Sequence, residues 1–142
     1  MAIRRKSLTI AMLIFPVVLL TGCCRMSDTV KPIADDVFKK AALTEPLPPK
    51  AFTSDGCSLW FDGCWVKCCV QHDLAYWRGG TSEERQKADR TLEQCVAALN
   101  YTATARFMYA GVRVGGVWWL PTCFRWGYGW EYPQTGPPGT DY

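Results

Sequence analysis

The apolar and polar positions of this chain change rhythm several times along its length. Behind Arg4, Arg5 and Lys6, residues 8–20 form an almost unbroken apolar run. Polar and proline-containing sequence follows as far as Lys50, with "PIADDVFKKAAL" as one short helical candidate that starts at Pro32. Residues 64–77 then read as a helix, stopped by Gly79 and Gly80. Immediately afterwards Thr81-Ser82-Glu83-Glu84 spells a T-x-x-E capping box, which opens a second helix to about Asn100. Its apolar positions, Ala88, Leu92, Cys95 or Val96, and Leu99, recur on one helical face. A third helix is expected from Thr102 to Arg113, ending near Gly115 and Gly116. Because the turn between the first two helices is short and glycine-rich, they must run antiparallel. No strand signal is strong, so the expected fold class is mainly α, a small domain built on an antiparallel two-helix hairpin.

The apolar run near the start is shorter than the roughly 20 residues that a membrane-spanning helix needs, and Pro16 interrupts it. With its basic n-region it reads as a signal peptide over residues 1–22. Leu20-Thr21-Gly22-Cys23 resembles the lipobox of bacterial lipoproteins, in which the cysteine becomes lipidated. The expected product is exported and lipid-anchored through Cys23 in the bacterial cell envelope, on the periplasmic side or in the outer membrane. Several acyl chains, at about 0.8 kcal/mol per buried CH2, make a stable anchor. Residues 23–51 then read as a flexible tether, 52–130 as the compact domain and 131–142 as a loose tail.

Removing the signal peptide changes the charge. Three of the 16 basic residues lie in the n-region, and the rest equal the 13 acids, so the mature chain is neutral and shows no nucleic-acid footprint. Eight cysteines behind an export signal indicate a disulfide framework. Cys23 takes the lipid and Cys24, beside the anchor, is the expected odd thiol. Cys57, Cys64, Cys68, Cys69, Cys95 and Cys123 remain, enough for three bridges. Zinc is the rival use of clustered cysteines, yet Cys64 and Cys68 are followed by no second ligand pair at finger-like spacing.

The stretch "CCVQHDLAYWRGG" holds the only histidine, His72, followed by Asp73. If Cys68 were bridged to Cys95, Asp89 on the second helix would arrive level with the gap between His72 and Tyr76. Cys68, His72 and Tyr76 share one face at i, i+4 and i+8. One carboxylate would then meet an imidazole and a phenol. Asp73 points elsewhere, on the side of Cys69. Through a Cys57–Cys69 bridge that side would face the loop "TSDGCSLWFDG", and a carboxylate with loop carbonyls near Gly56, Cys57 and Ser58 suits a hard cation, Ca2+ being the natural occupant. A Ser–His–Asp hydrolase on Ser54 or Ser58 lacks the G-x-S-x-G elbow. The tryptophan-rich segment with Trp118, Trp119, Trp126 and Trp130 reads equally as a membrane-facing surface or as cover for a small core.

"CCVQHDLAYW" resembles the active-site helix of secreted phospholipase A2, with its C-C-x-x-H-D pattern, and "ADRTLEQC" resembles the second helix of that family. The likeness covers about 30 residues, from Cys68 to roughly Ala97. Two further family cysteines, bonded to each other, fall at Ala75 and Ala88, a bridge lost at both ends together. The resemblance implies bridges Cys68–Cys95 and Cys57–Cys69, and Cys64–Cys123 is then the pair left over. It implies a Ca2+-dependent esterase on phospholipid membranes. His72 would be general base on water, Asp89 and Tyr76 its support, and Asp73 the Ca2+ ligand. The sequence departs from the family at the calcium loop, where only Gly56 and Gly63 flank a bulky Leu59-Trp60-Phe61. A non-catalytic phospholipid-binding or envelope-interaction module is the alternative use of the same scaffold, and a disulfide-stapled structural lipoprotein the third. No protein partner is indicated.

Overall fold

A computed structural model describes residues 26–142; the expected signal peptide over residues 1–22 and the expected lipidation site at Cys23 lie outside the described residues. Four α-helices follow one another, with no strand among the described residues: α1 (Lys31–Lys40), α2 (Val66–Arg78), α3 (Ser82–Ala98) and α4 (Thr102–Gly115). No described helix is long and apolar enough to cross a membrane.

The α2–α3 hairpin forms where its end signals lie. Thr81 caps α3 by accepting from the Glu84 backbone N–H, while the Glu84 carboxylate accepts from the Thr81 N–H at 2.8 Å. Two of the four orphan donors at the helix start are thereby satisfied. At the turn Gly79 has φ +69°, and any side chain there would collide with the Thr135 carbonyl. Helix α2 begins two residues later than expected, because residues 63–65 form a turn in which Val66 N–H bonds Gly63 O.

Helix α2 is buried on two sides. Cys68 and Cys69 join Cys57, Trp65, Leu92 and Val96 in the cluster toward α3 and α4. Val70, Leu74 and Trp77, spaced i, i+4 and i+7, face away from that cluster and pack on Val30, Ala34 and Val37. Segment 26–51 is therefore not a free tether. Its helix closes the far side of α2, for which those three apolar residues needed a partner.

The tail is held too. The Thr135 carbonyl accepts from Gly80 N–H at 2.7 Å, and the Tyr142 hydroxyl accepts from Arg85. Segment 116–130 wraps the carboxyl end of α2. Gly127 and Gly129 N–H groups bond the Tyr76 and Trp77 carbonyls, and Trp130 Nε1 bonds the Arg78 carbonyl at 2.7 Å. Carbonyls that a helix end leaves orphaned are thus used to dock a loop. Trp126 and Trp130 are buried by this wrapping, so these two are core, whereas Trp119 is exposed.

Disulfides join Cys68 to Cys95 and Cys57 to Cys69, with Cα separations of 5.8 and 5.2 Å. The third expected bridge does not form. Cys64 is an exposed free thiol near the Tyr101 hydroxyl, whereas Cys123 lies beside Asp55 and Phe124 and is disulfide-bonded, to a partner other than Cys64. The Trp65 ring explains the separation, since it packs against Tyr101 and holds the Cys64 turn near the α3–α4 connection.

Candidate active site

The hairpin register sets the polar centre. His72 lies seven residues before Gly79 and Asp89 nine residues after Gly80, so folding at the turn brings them face to face. His72 Nε2 is 2.8 Å from Asp89 Oδ1, and the Tyr76 hydroxyl donates to the same oxygen at 2.7 Å. Asp89 has no exposed surface and His72 only 8 %. A carboxylate beside Nε2 fixes the neutral ring with its proton on Nε2 and its lone pair on Nδ1. Among the described residues Nδ1 makes no hydrogen bond.

Helix α4 adds a group that the sequence reading did not find. Arg113 donates to Asp89 Oδ2 at 2.8 Å. Burial alone pushes the Asp89 carboxyl upward, but His72, Arg113 and Tyr76 together hold it below the usual carboxylate value. Tyr76 moves the other way: burial and the Asp89 charge raise its hydroxyl, so it stays a protonated donor. Arg85, also buried, donates to Tyr76 at 3.2 Å and to the carbonyls of Val112 and Arg113 at 3.0 and 2.8 Å. It ties the end of α4 to the pair. Asp89 and Arg113 lie at nearly equal distances on either side of the Asn100 turn, and that register was the available signal.

His72 and Asp73 both line a cavity of about 330 Å3. Pockets that hold small molecules run upward from roughly 300 Å3. Its walls are mostly apolar, with Leu59, Trp60, Leu92, Phe107, Met108 and Phe124 among them. Among its lining residues Leu59 and Phe107 are exposed by 68 and 71 %, and Trp60 stacks on Phe107 and on the neighbouring Phe61, itself 62 % exposed.

Asp73 also borders a second cleft of about 20 Å3, lined on one side by Ser54, Asp55, Ser58 and Tyr128 and on the other by Cys123 and Phe124. That volume admits one water or one ion. Ser54 donates to Asp73 Oδ2 at 2.5 Å and Ser58 to Asp55 at 2.6 Å. Burial pushes the Asp73 carboxyl well above the usual range; the Ser54 bond opposes this, and the charges of Asp55 and Asp62 add to it. Asp62 sits against the Gly56 backbone and accepts from Cys57 N–H at 2.9 Å, while the Cys57 carbonyl is bonded by Trp60 N–H. No three His, Cys, Asp or Glu side chains converge as metal ligands among the described residues. The donor set still fits a hard cation in kind, since the Asp73 carboxylate of α2 faces an acidic, hydroxyl-bearing loop.

No family model, no curated protein and no solved structure matches this chain. Hairpin and disulfide register bring His72, Asp89 and Tyr76 into one network, and Asp73 lies beside the loop of Gly56, Cys57 and Ser58.

Proposed function

We propose that this protein is a phospholipase A2-like esterase that hydrolyses acyl esters of glycerophospholipids at a membrane. The observation that carries the reading is the buried His72–Asp89–Tyr76 network, with the unbonded Nδ1 on a ring that lines an apolar cavity. Such a cavity suits an acyl chain, and its exposed aromatic rim suits a bilayer. Disulfides at Cys57–Cys69 and Cys68–Cys95 agree with an exported protein.

In this mechanism a water lies against Nδ1 of His72, which removes its proton as the oxygen attacks the ester carbonyl carbon. The imidazolium that forms is stabilised through Nε2–H by ionised Asp89, and Tyr76 holds Asp89 in place. The proton then passes to the departing alkoxide. Apolar walls exclude competing water and align the acyl chain. Asp73, with oxygens of the loop at Gly56, Cys57 and Ser58, would hold Ca2+, which when bound supplies electrophilic stabilisation of the developing oxyanion.

The alternative, a non-catalytic phospholipid-binding module, draws on one observation. Burial and its acidic neighbours favour protonated Asp73, a poor ligand unless a cation offsets them.

The test is fatty-acid release from mixed phospholipid micelles by the oxidised full chain, with Ca2+ and with chelator, beside His72→Gln. Release that falls at least about a hundredfold in His72→Gln and in chelator is the expected result. Vesicle binding without any release, from folded protein, would replace the esterase with the binding module.

A further inference from the structure

Asp89 on α3 is contacted from α2 and α4, and the charged and titratable groups around it can be named. His72 and Tyr76 come from α2, Arg113 comes from α4, and Arg85 of α3 reaches it through the Tyr76 hydroxyl. The two carboxylate oxygens are not equivalent. Oδ1 takes both α2 donors, whereas Oδ2 is bonded by Arg113 alone among the described residues.

We propose that Arg113 is a positioning residue for His72, holding the Asp89 carboxylate turned so that Oδ1 accepts from the imidazole. The inference rests on the reading of His72 as a general base. Torsion about the Cβ–Cγ bond of an aspartate is soft, so the carboxylate orientation has to be imposed by its partners. Without Arg113, Oδ2 would lose the one donor it has among the described residues, at a carboxylate that has no exposed surface in the intact fold. The carboxylate then has two ways to relieve the cost. It can rotate to share the α2 donors between its oxygens, or it can take a proton. Either change weakens the bond that fixes the His72 tautomer.

Arg113 is itself well placed for the task. Arg85 bonds the carbonyls of Val112 and Arg113, which pins the last turn of α4 against α3. Gly116 lets the chain run close against the Tyr76 ring, where a larger residue would collide with the phenol. The Arg113 side chain nevertheless keeps 32 % of its surface exposed, so it can be replaced without opening the core.

His72 is the only histidine of the chain, so its ring signals can be assigned without ambiguity. The experiment uses the full chain, 15N-labelled in detergent micelles, as wild type, Arg113→Gln and Arg113→Lys. It follows the imidazole Nε2–H proton and, in parallel, kcat and KM on mixed phospholipid micelles. Wild type and Arg113→Lys are expected to show one protected low-field proton. In Arg113→Gln that proton should broaden by exchange, with kcat lowered about tenfold and KM unchanged.

An unaltered ring signal with unaltered kcat in Arg113→Gln would overturn the proposal. So would unfolding of both variants, which would make Arg113 a structural residue only. If wild type releases no fatty acid while the ring signal responds as expected, the esterase reading falls and the Arg113–Asp89–His72 coupling stands.

Discussion

Asp73 and Asp89 belong to neighbouring helices, yet their surroundings drive them apart. Asp89 is held low because three donors outweigh its burial, so its stabilisation is fully present above the unfolded value near pH 4. It is lost as pH falls through the folded value. For Asp73 the sign reverses. Its folded carboxyl is raised by burial, so ionising it costs stability above that raised value, and acidification toward pH 4 relieves the cost. Asp73→Asn should therefore raise the melting temperature at pH 8 in chelator, and raise it less at pH 4. A gain of a few degrees is expected, since 1 kcal/mol is worth roughly 4 °C at this chain length. Calorimetry at the two pH values checks it, and a lower melting temperature at pH 8 would contradict the account. Opposed carboxylates in one site are the pattern expected where two acids have different tasks.

At the scale of elements, α2 depends on neighbours on both sides. Leu74 faces α1 and Leu92 faces the Cys57–Trp65 cluster, so truncating either should hurt comparably. Leu74→Ala is expected to lower unfolding free energy by about 2–4 kcal/mol in a denaturant titration. A loss below about 1 kcal/mol would mean that α1 packs only loosely. The hairpin was legible in the sequence because its signals are local: a capping box at Thr81 and Glu84, and glycines at 79 and 80. The packing of α1 was not, because its partners Val70, Leu74 and Trp77 lie some 40 residues away and no local rule connects them. The buried face of α3 was legible only in part, with Leu92 and Val96 buried as expected, and for another reason. It is Arg85, Asp89, Leu92 and Val96, with Leu99 exposed. A count of apolar positions cannot register polar side chains that are buried because they are paired. His72, Asp89 and Tyr76 were legible through helical register; Arg113 required the register of a second turn.

Over the whole molecule, the apolar cavity opens beside a rim of exposed aromatics. Leu59, Trp60 and Phe61 come from the loop after Cys57, and Phe107 comes from α4. These side chains contribute little to the folded core, so their removal should separate the proposed membrane contact from stability. The double variant Trp60→Ala, Phe107→Ala should keep its melting temperature within about 2 °C. Sedimentation with phospholipid vesicles should fall about tenfold. Unchanged sedimentation would move the membrane contact elsewhere, with exposed Trp119 the next place to look.

The carboxylate of Asp89 is a single group contacted from α2 and α4 while standing on α3. A polar centre shared in this way has no separable melting of its own. Any excursion that lifts one helix strips the carboxylate of a donor, and a buried anion short of a donor pushes the remaining helices apart as well. Amide exchange along the inner faces of all three helices should consequently proceed through one common opening, with protection factors that converge on a single value.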